Sequence, residues 1–141
     1  VMRDCEKILR ILKIKYQASI VSAHRTPKRM FEFAESASKN GFAVIIAGAG
    51  GSAHLPGMIA SLATVPVIGV PIESRKLKGL DSLLSIVQMP KGCPTATMAI
   101  NGAFNAGLHA ASIIGTFDLK VRSNLEKWKR LQTKSVKKKI K

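Results

Sequence analysis

The sequence predicts an α/β domain built on a parallel sheet that is covered by helices on both faces. Short apolar runs alternate along the 141 residues with segments whose apolar residues recur at helical spacing. The run at residues 42–47, FAVIIA, contains no polar side chain. Such a run is typical of a strand that is buried on both faces of a parallel sheet. The length favours a single domain with a genuine core.

Six segments have helical character. Apolar residues between Cys5 and Leu12 form a stripe along residues 3–13. Thr26-Pro27 opens the second helix, since proline is favoured in a first turn, and Asn40-Gly41 ends it. The other predicted helices are residues 55–63, 81–87, 103–114 and 119–131.

Four segments are predicted strands: residues 18–21, 42–47, 65–71 and 95–100. Ligands of open α/β sheets bind at the carboxyl ends of the strands. Two polar loops follow predicted strands, SAHRTP at residues 22–27 and GAGGSAHLPG at residues 48–57. The sequence therefore predicts a ligand site where these two loops meet.

Composition narrows the class of protein. The net charge is +15, but ten basic residues and one acidic residue fall between residues 120 and 141, so much of the excess lies in a C-terminal segment. Few aromatics and no nucleic-acid motif accompany the charge, which favours a solvated surface over nucleic-acid binding. Cys5 and Cys93 fit no metal-ligand spacing and are expected to be reduced thiols. We expect a soluble, cytoplasmic protein, because no apolar run is long enough to cross a membrane.

The SAHRTP loop groups three polar side chains at a strand end. Ser22 offers a hydroxyl, His24 an imidazole that can carry a proton, and Arg25 a planar fork suited to phosphate or carboxylate. The helix that follows presents free amides that favour an anion. The alternative, that these side chains merely cap the turn, explains the cluster less well.

The second loop is a weaker signal by itself. Small residues from Gly48 onward let backbone amides approach a ligand, but the pattern is neither G-x-G-x-x-G nor a Walker loop. A tight connection is the alternative, and His54 favours a site. Elsewhere, Asp81-Ser82 is interpreted as a helix cap, His109 as a packing or surface residue, and residues 88–92 as a loop that could line a pocket.

Five motifs in sequence order, SAHRTP, IIAGAGGSAHLPGM, PVIGVP, LDSLLSIVQMPKG and AINGAFNAGL, resemble the class I PurE family, the N5-carboxyaminoimidazole ribonucleotide mutases of purine biosynthesis. The resemblance covers residues 1–131 and leaves residues 132–141 as a Lys-rich tail. It implies a three-layer, flavodoxin-like fold with a C-terminal helix, a homo-octamer, and no metal, cofactor, nucleic-acid or membrane partner.

The resemblance also implies a reaction and a set of site residues. A carboxylate moves from the exocyclic nitrogen of the ribonucleotide to the neighbouring ring carbon, with His24 as general acid and base. Ser22 and Arg25 would hold the phosphate end. The residues expected to enclose the carboxylate and carbon dioxide are Ala49, Gly50, Gly51, His54 and Leu55. Two alternatives stay open: a carboxylase that uses carbon dioxide directly, and a catalytically impaired nucleotide-binding fragment.

The chain departs from the family at its start. The family's N-terminal strand and Gly-Ser-x-Ser-Asp-Trp loop are absent, and that strand would lie between residues 18–21 and 42–47. Its absence would leave backbone groups unpaired on both neighbouring strands. We therefore expect residues 1–141 to be a fragment that folds poorly or assembles aberrantly and has little mutase activity.

Overall fold

The computed structural model describes residues 1–137 and contains six helices and three strands there. The helices are α1 (Met2–Ile11), α2 (Pro27–Ser36), α3 (Leu55–Leu62), α4 (Leu80–Val87), α5 (Ala103–Ile114) and α6 (Leu119–Ser135). The strands are β1 (Ile45–Gly50), β2 (Val67–Ile72) and β3 (Ala96–Thr97). All six predicted helices are therefore present; α2 ends at Ser36, earlier than the predicted Asn40-Gly41, and α6 extends beyond residue 131. Residues 138–141, part of the predicted tail, lie outside the described residues.

The sheet is parallel, with order β1-β2-β3. In β2, Val67 packs with α2 and α3 on one face, whereas Ile68 and Val70 pack with α1 and α5 on the other. This alternation follows from the period of two along a strand. The predicted three-layer α/β/α arrangement is confirmed. In the region described, no helix has the length and apolar character needed to cross a bilayer.

Helix α6 is attached to the outside of the α1–α5 pair. Its buried residues Val121 and Leu125 join Ile8, Leu12 and Ala111 in a separate apolar cluster. Asp118 caps the helix, because its carboxylate accepts from the amides of Lys120 and Val121 at 2.8 and 3.1 Å. No glycine or proline interrupts the residues that follow, so the helix continues to Ser135.

The prediction of a strand at residues 18–21 was wrong. These residues are in no strand, because a groove separates them from β1 and leaves their backbone without a strand to pair with. We call this cavity of about 670 Å³ the β1 groove. Its walls include Cys5, Leu9, Val21, Phe33, Ile46 and Ile59.

The β1 groove exposes one edge of β1. Within residues 1–137, β1 pairs with β2 alone. Ile45 donates its amide to Pro66, so alternation turns the backbone groups of Ile46 and Gly48 toward the groove. In this structure the backbone groups of β1 that face the groove have no strand partner, and the expected difficulty in folding stays a prediction.

Candidate active site

Two histidines from the two predicted loops meet at the carboxyl end of β1. Nε2 of His24 lies 2.9 Å from Nδ1 of His54, and the rings are nearly perpendicular with centroids 5.0 Å apart. Both side chains are exposed. A contact of this length requires one nitrogen to donate a hydrogen and the other to accept it, so a hydrogen bond joins the two rings.

The turn before α2 holds His24 and Arg25 in place. Thr26 donates both its amide and its hydroxyl to the carbonyl of Ser22, at 3.0 and 3.1 Å, and its hydroxyl accepts from the amide of Ser22 at 2.8 Å. The Ser22 hydroxyl accepts from the Arg25 amide at 3.2 Å. These bonds fold residues 22–26 into a compact turn that projects His24 and Arg25 into solvent.

Arg25 is available to an anion. Its Nε approaches the Ser22 hydroxyl at 3.5 Å, and the side chain is exposed. Thr26 begins α2 without a side-chain cap, as does His54 at α3. Two helix N-termini and a guanidinium therefore lie in the loops that carry the histidine pair, a combination that favours a phosphate or carboxylate.

The glycine-rich loop leads from β1 to His54. Ala49 and Gly50 form the end of β1, and Gly51 turns the chain with a φ of +71°, a conformation that favours glycine. Leu55 is the first residue of α3 and lines the β1 groove. The predicted residues of this loop thus lie on the same short segment of chain as His54, while their roles toward a substrate stay predictions.

Two residues of this region, Asp81 and Ser82, were misassigned from sequence. Ser82 was interpreted as a helix cap together with Asp81, but α4 begins at Leu80 with Gly79, at a φ of +91°, in the cap position. The Ser82 hydroxyl instead accepts from the Gly51 amide at 2.8 Å and donates to the Ile72 carbonyl at 2.6 Å. A possible signal was that both serines of the apolar segment LDSLLSIV, three residues apart, share one helix face.

The third histidine and the two cysteines lie outside the histidine pair. His109 is exposed on α5, in agreement with the interpretation as a packing or surface residue. Cys5 and Cys93 are free thiols. Burial, with a smaller contribution from the charge of Glu6, raises the pKa of Cys5 to about 11, which makes this thiol a poor nucleophile.

Comparisons with known proteins identify the family of this chain. The AIR carboxylase family matches residues 1–135. The chain belongs to this family. It is 53% identical over 137 residues to the N5-carboxyaminoimidazole ribonucleotide mutase of Escherichia coli strain K12, covering 96% of this chain and 81% of the relative. The mutase of Pyrococcus horikoshii is 51% identical over 141 residues, covering all of this chain and 80% of the relative.

A solved structure supports the fold of this AIR carboxylase family member. The crystal structure of Treponema denticola PurE superposes with a TM-score of 0.82 at 22% sequence identity, covering 94% of this chain and 82% of that one. The similarity confirms the fold class inferred from the sequence motifs. The resemblance to the PurE family is confirmed as well, on the strength of the family match and the closely related sequences.

Proposed function

We propose that this protein is an N5-carboxyaminoimidazole ribonucleotide mutase of purine biosynthesis. The observation that carries the proposal is the contact of 2.9 Å between His24 and His54 beside Arg25. It combines proton transfer with an anion-binding group at the sheet edge where α/β proteins bind ligands. The names of relatives at 51 to 53% identity favour the mutase over the carboxylase.

The proposed reaction needs one proton, which His24 donates in the first step and recovers in the second. The carbamate C–N bond of the substrate breaks to release carbon dioxide, and His24 donates a proton to the exocyclic nitrogen that stays on the ring. The ring carbon then forms a bond to carbon dioxide, and His24 takes the proton that this carbon loses. Because Nδ1 of His54 contacts Nε2 of His24, His54 can hold the His24 ring in place between the two steps.

Substrate binding divides between the two loops in this proposal. Arg25 and Ser22 hold the phosphate, while Ala49, Gly50, Gly51, His54 and Leu55 enclose the carboxylate and carbon dioxide. Enclosure matters because escape of the gas would end the reaction. No metal or other cofactor takes part.

An assay of product formation tests the proposal. The chain is given chemically prepared carbamate, and 4-carboxy-5-aminoimidazole ribonucleotide is measured; a parallel reaction contains aminoimidazole ribonucleotide and bicarbonate. We expect slow product formation from the carbamate, in line with the low activity expected of this chain, and a further fall of about 10²- to 10⁴-fold in His24→Asn. His109→Asn, which changes an exposed histidine on α5, should be as active as the unchanged chain. Product formation that is insensitive to His24→Asn would contradict the proposal.

We further propose that the protein acts in the cytoplasm as a homo-octamer. Support for association comes from α4, where Leu80, Leu84 and Val87 are about half exposed on one side of the helix, next to Leu77 at 58%. Such a row of exposed aliphatic side chains is typical of an interface. Light scattering should give the mass of eight chains, and Leu84→Glu should lower it. The free cysteines agree with a reducing compartment.

A further inference from the structure

We propose that Ser82 is a positioning residue that sets the geometry of the His24–His54 pair by anchoring the glycine-rich loop. The inference deepens the proposed function, on which its kinetic test rests. Ser82 is a fully buried polar side chain, with 0% exposure, in the part of the chain that the structure describes. It lies on α4 and contacts neither histidine, so its effect must pass through the backbone that it binds.

The Ser82 hydroxyl links β1 and β2 just beyond their last backbone pair. The last paired residues are Gly50 and Ile72, and beyond them Gly51 turns away at a φ of +71°. The hydroxyl accepts from the Gly51 amide and donates to the Ile72 carbonyl, at 2.8 and 2.6 Å. One side chain therefore joins the ends of both strands at the point where backbone pairing stops.

A second serine of α4, Ser85, lies near the carbonyl of Gly51. Ser85, one helical turn further along α4, donates chiefly to the Asp81 carbonyl at 2.7 Å and approaches the Gly51 carbonyl at 3.4 Å. Both polar groups of Gly51 thus face α4. A side chain at Gly51 would meet no atom within 4 Å, so these bonds and the positive φ, rather than close packing, fix this turn.

Gly51, the residue that Ser82 binds, lies three residues before His54. The His54 amide donates to the Ser52 carbonyl at 2.9 Å, and His54 then begins α3, so little freedom separates the Gly51 turn from the imidazole. Ser22 and Arg25 belong to the turn before α2, which Ser82 does not contact. Loss of the Ser82 hydroxyl should therefore disturb the histidine pair and leave the proposed phosphate-binding groups in place.

Histidine spectra test this inference without any need for turnover. The protein contains three histidines, so ¹⁵N-labelled imidazoles give few signals, and His109 serves as an internal reference. In Ser82→Ala we expect faster hydrogen exchange at the Gly51 amide, together with movement of the His24 and His54 signals toward those of isolated imidazoles. The His109 signal should stay unchanged. Ser61→Ala, which removes an exposed hydroxyl that bonds only to the Met58 carbonyl, is the matched control.

The kinetic expectation is specific to a positioning role. Ser82→Ala should lower kcat about 10- to 100-fold, the effect of a small misplacement, with KM changed less than about twofold. Ser82→Cys replaces the hydroxyl with a somewhat larger and more weakly hydrogen-bonding thiol, and provides a second variant if Ser82→Ala does not fold. A folded variant whose Gly51 amide exchanges faster while the His24 and His54 signals stay in place would overturn the inference. So would Gly51 exchange that is unchanged in both variants. An inactive parent chain would contradict the proposed function, yet the spectra would still decide the role of Ser82.

Discussion

Nε2 of His24 and Nδ1 of His54 lie 2.9 Å apart although 30 residues separate them in sequence. His24 belongs to the turn before α2, and His54 is the N-cap residue of α3. The contact therefore depends on how α2 and α3 pack together against β1, and not on either loop alone. Any change that shifts one helix relative to the other should lengthen or break the hydrogen bond between the two rings.

The partner histidine should matter for turnover. In His54→Phe, His24 loses the group that holds its ring, so we expect kcat to fall about 10- to 100-fold. His54→Asn retains a polar side chain and should lose less. The measurement is the mutase assay, with His109→Phe as the control because His109 is exposed on α5. Equal rates for His54→Phe and the unchanged chain would show that the contact has no catalytic role.

The exposed edge of β1 should be visible in hydrogen exchange. The amides of Ile45, Ala47 and Ala49 face β2 and should be protected, whereas those of Ile46 and Gly48 face the β1 groove and should exchange faster. Exchange measured by NMR resolves this alternation. Uniform protection along β1 would mean that another segment covers this edge in solution.

The centre of the sheet should be sensitive to cavities. Ile68 is fully buried in β2, and Ile68→Ala should lower the free energy of unfolding by about 2–5 kcal/mol. Ile20 is 89% exposed, so Ile20→Ala makes the same chemical change without creating a cavity and should have little effect. Urea titrations at one protein concentration compare the two variants. Similar losses in both would contradict the burial pattern.

The cap of α6 should contribute measurably to stability. Asp118→Ala leaves the amides of Lys120 and Val121 without their acceptor and should cost about 1 kcal/mol. Asp118→Asn keeps an acceptor oxygen and should cost much less. Denaturant midpoints, with circular dichroism as the probe, separate these outcomes. An equal loss in both variants would point to the charge of Asp118 rather than to capping.

The two thiols should differ in reactivity. Because burial raises the pKa of Cys5 to about 11, its thiolate fraction is very small at neutral pH, and alkylation of Cys5 should accelerate as the pH rises toward that value. Cys93 is partly exposed and should react first. Mass spectrometry after timed iodoacetamide treatment measures both sites. Faster labelling of Cys5 at pH 7 in the folded protein would contradict this expectation.

The sequence by itself determined the helices, the buried strands β1 and β2, the fold class and the two loops of the site. These features depend on local patterns, such as the apolar run at residues 42–47, whose second half is the start of β1, and the Thr26-Pro27 start of α2. Family motifs pointed to His24 and His54, although no local pattern reports the distance between them.

Only the tertiary structure decided which backbone groups find partners. Residues 18–21 have the composition of a strand, yet they form none, since a strand exists only where another strand supplies the opposite hydrogen bonds. Ser82 is of a residue type that often caps helices, yet its hydroxyl binds Gly51 and Ile72, because packing of α4 brings it to the end of the sheet. Hydrogen-bond partners that are distant in sequence are set by packing, and a local pattern cannot specify them.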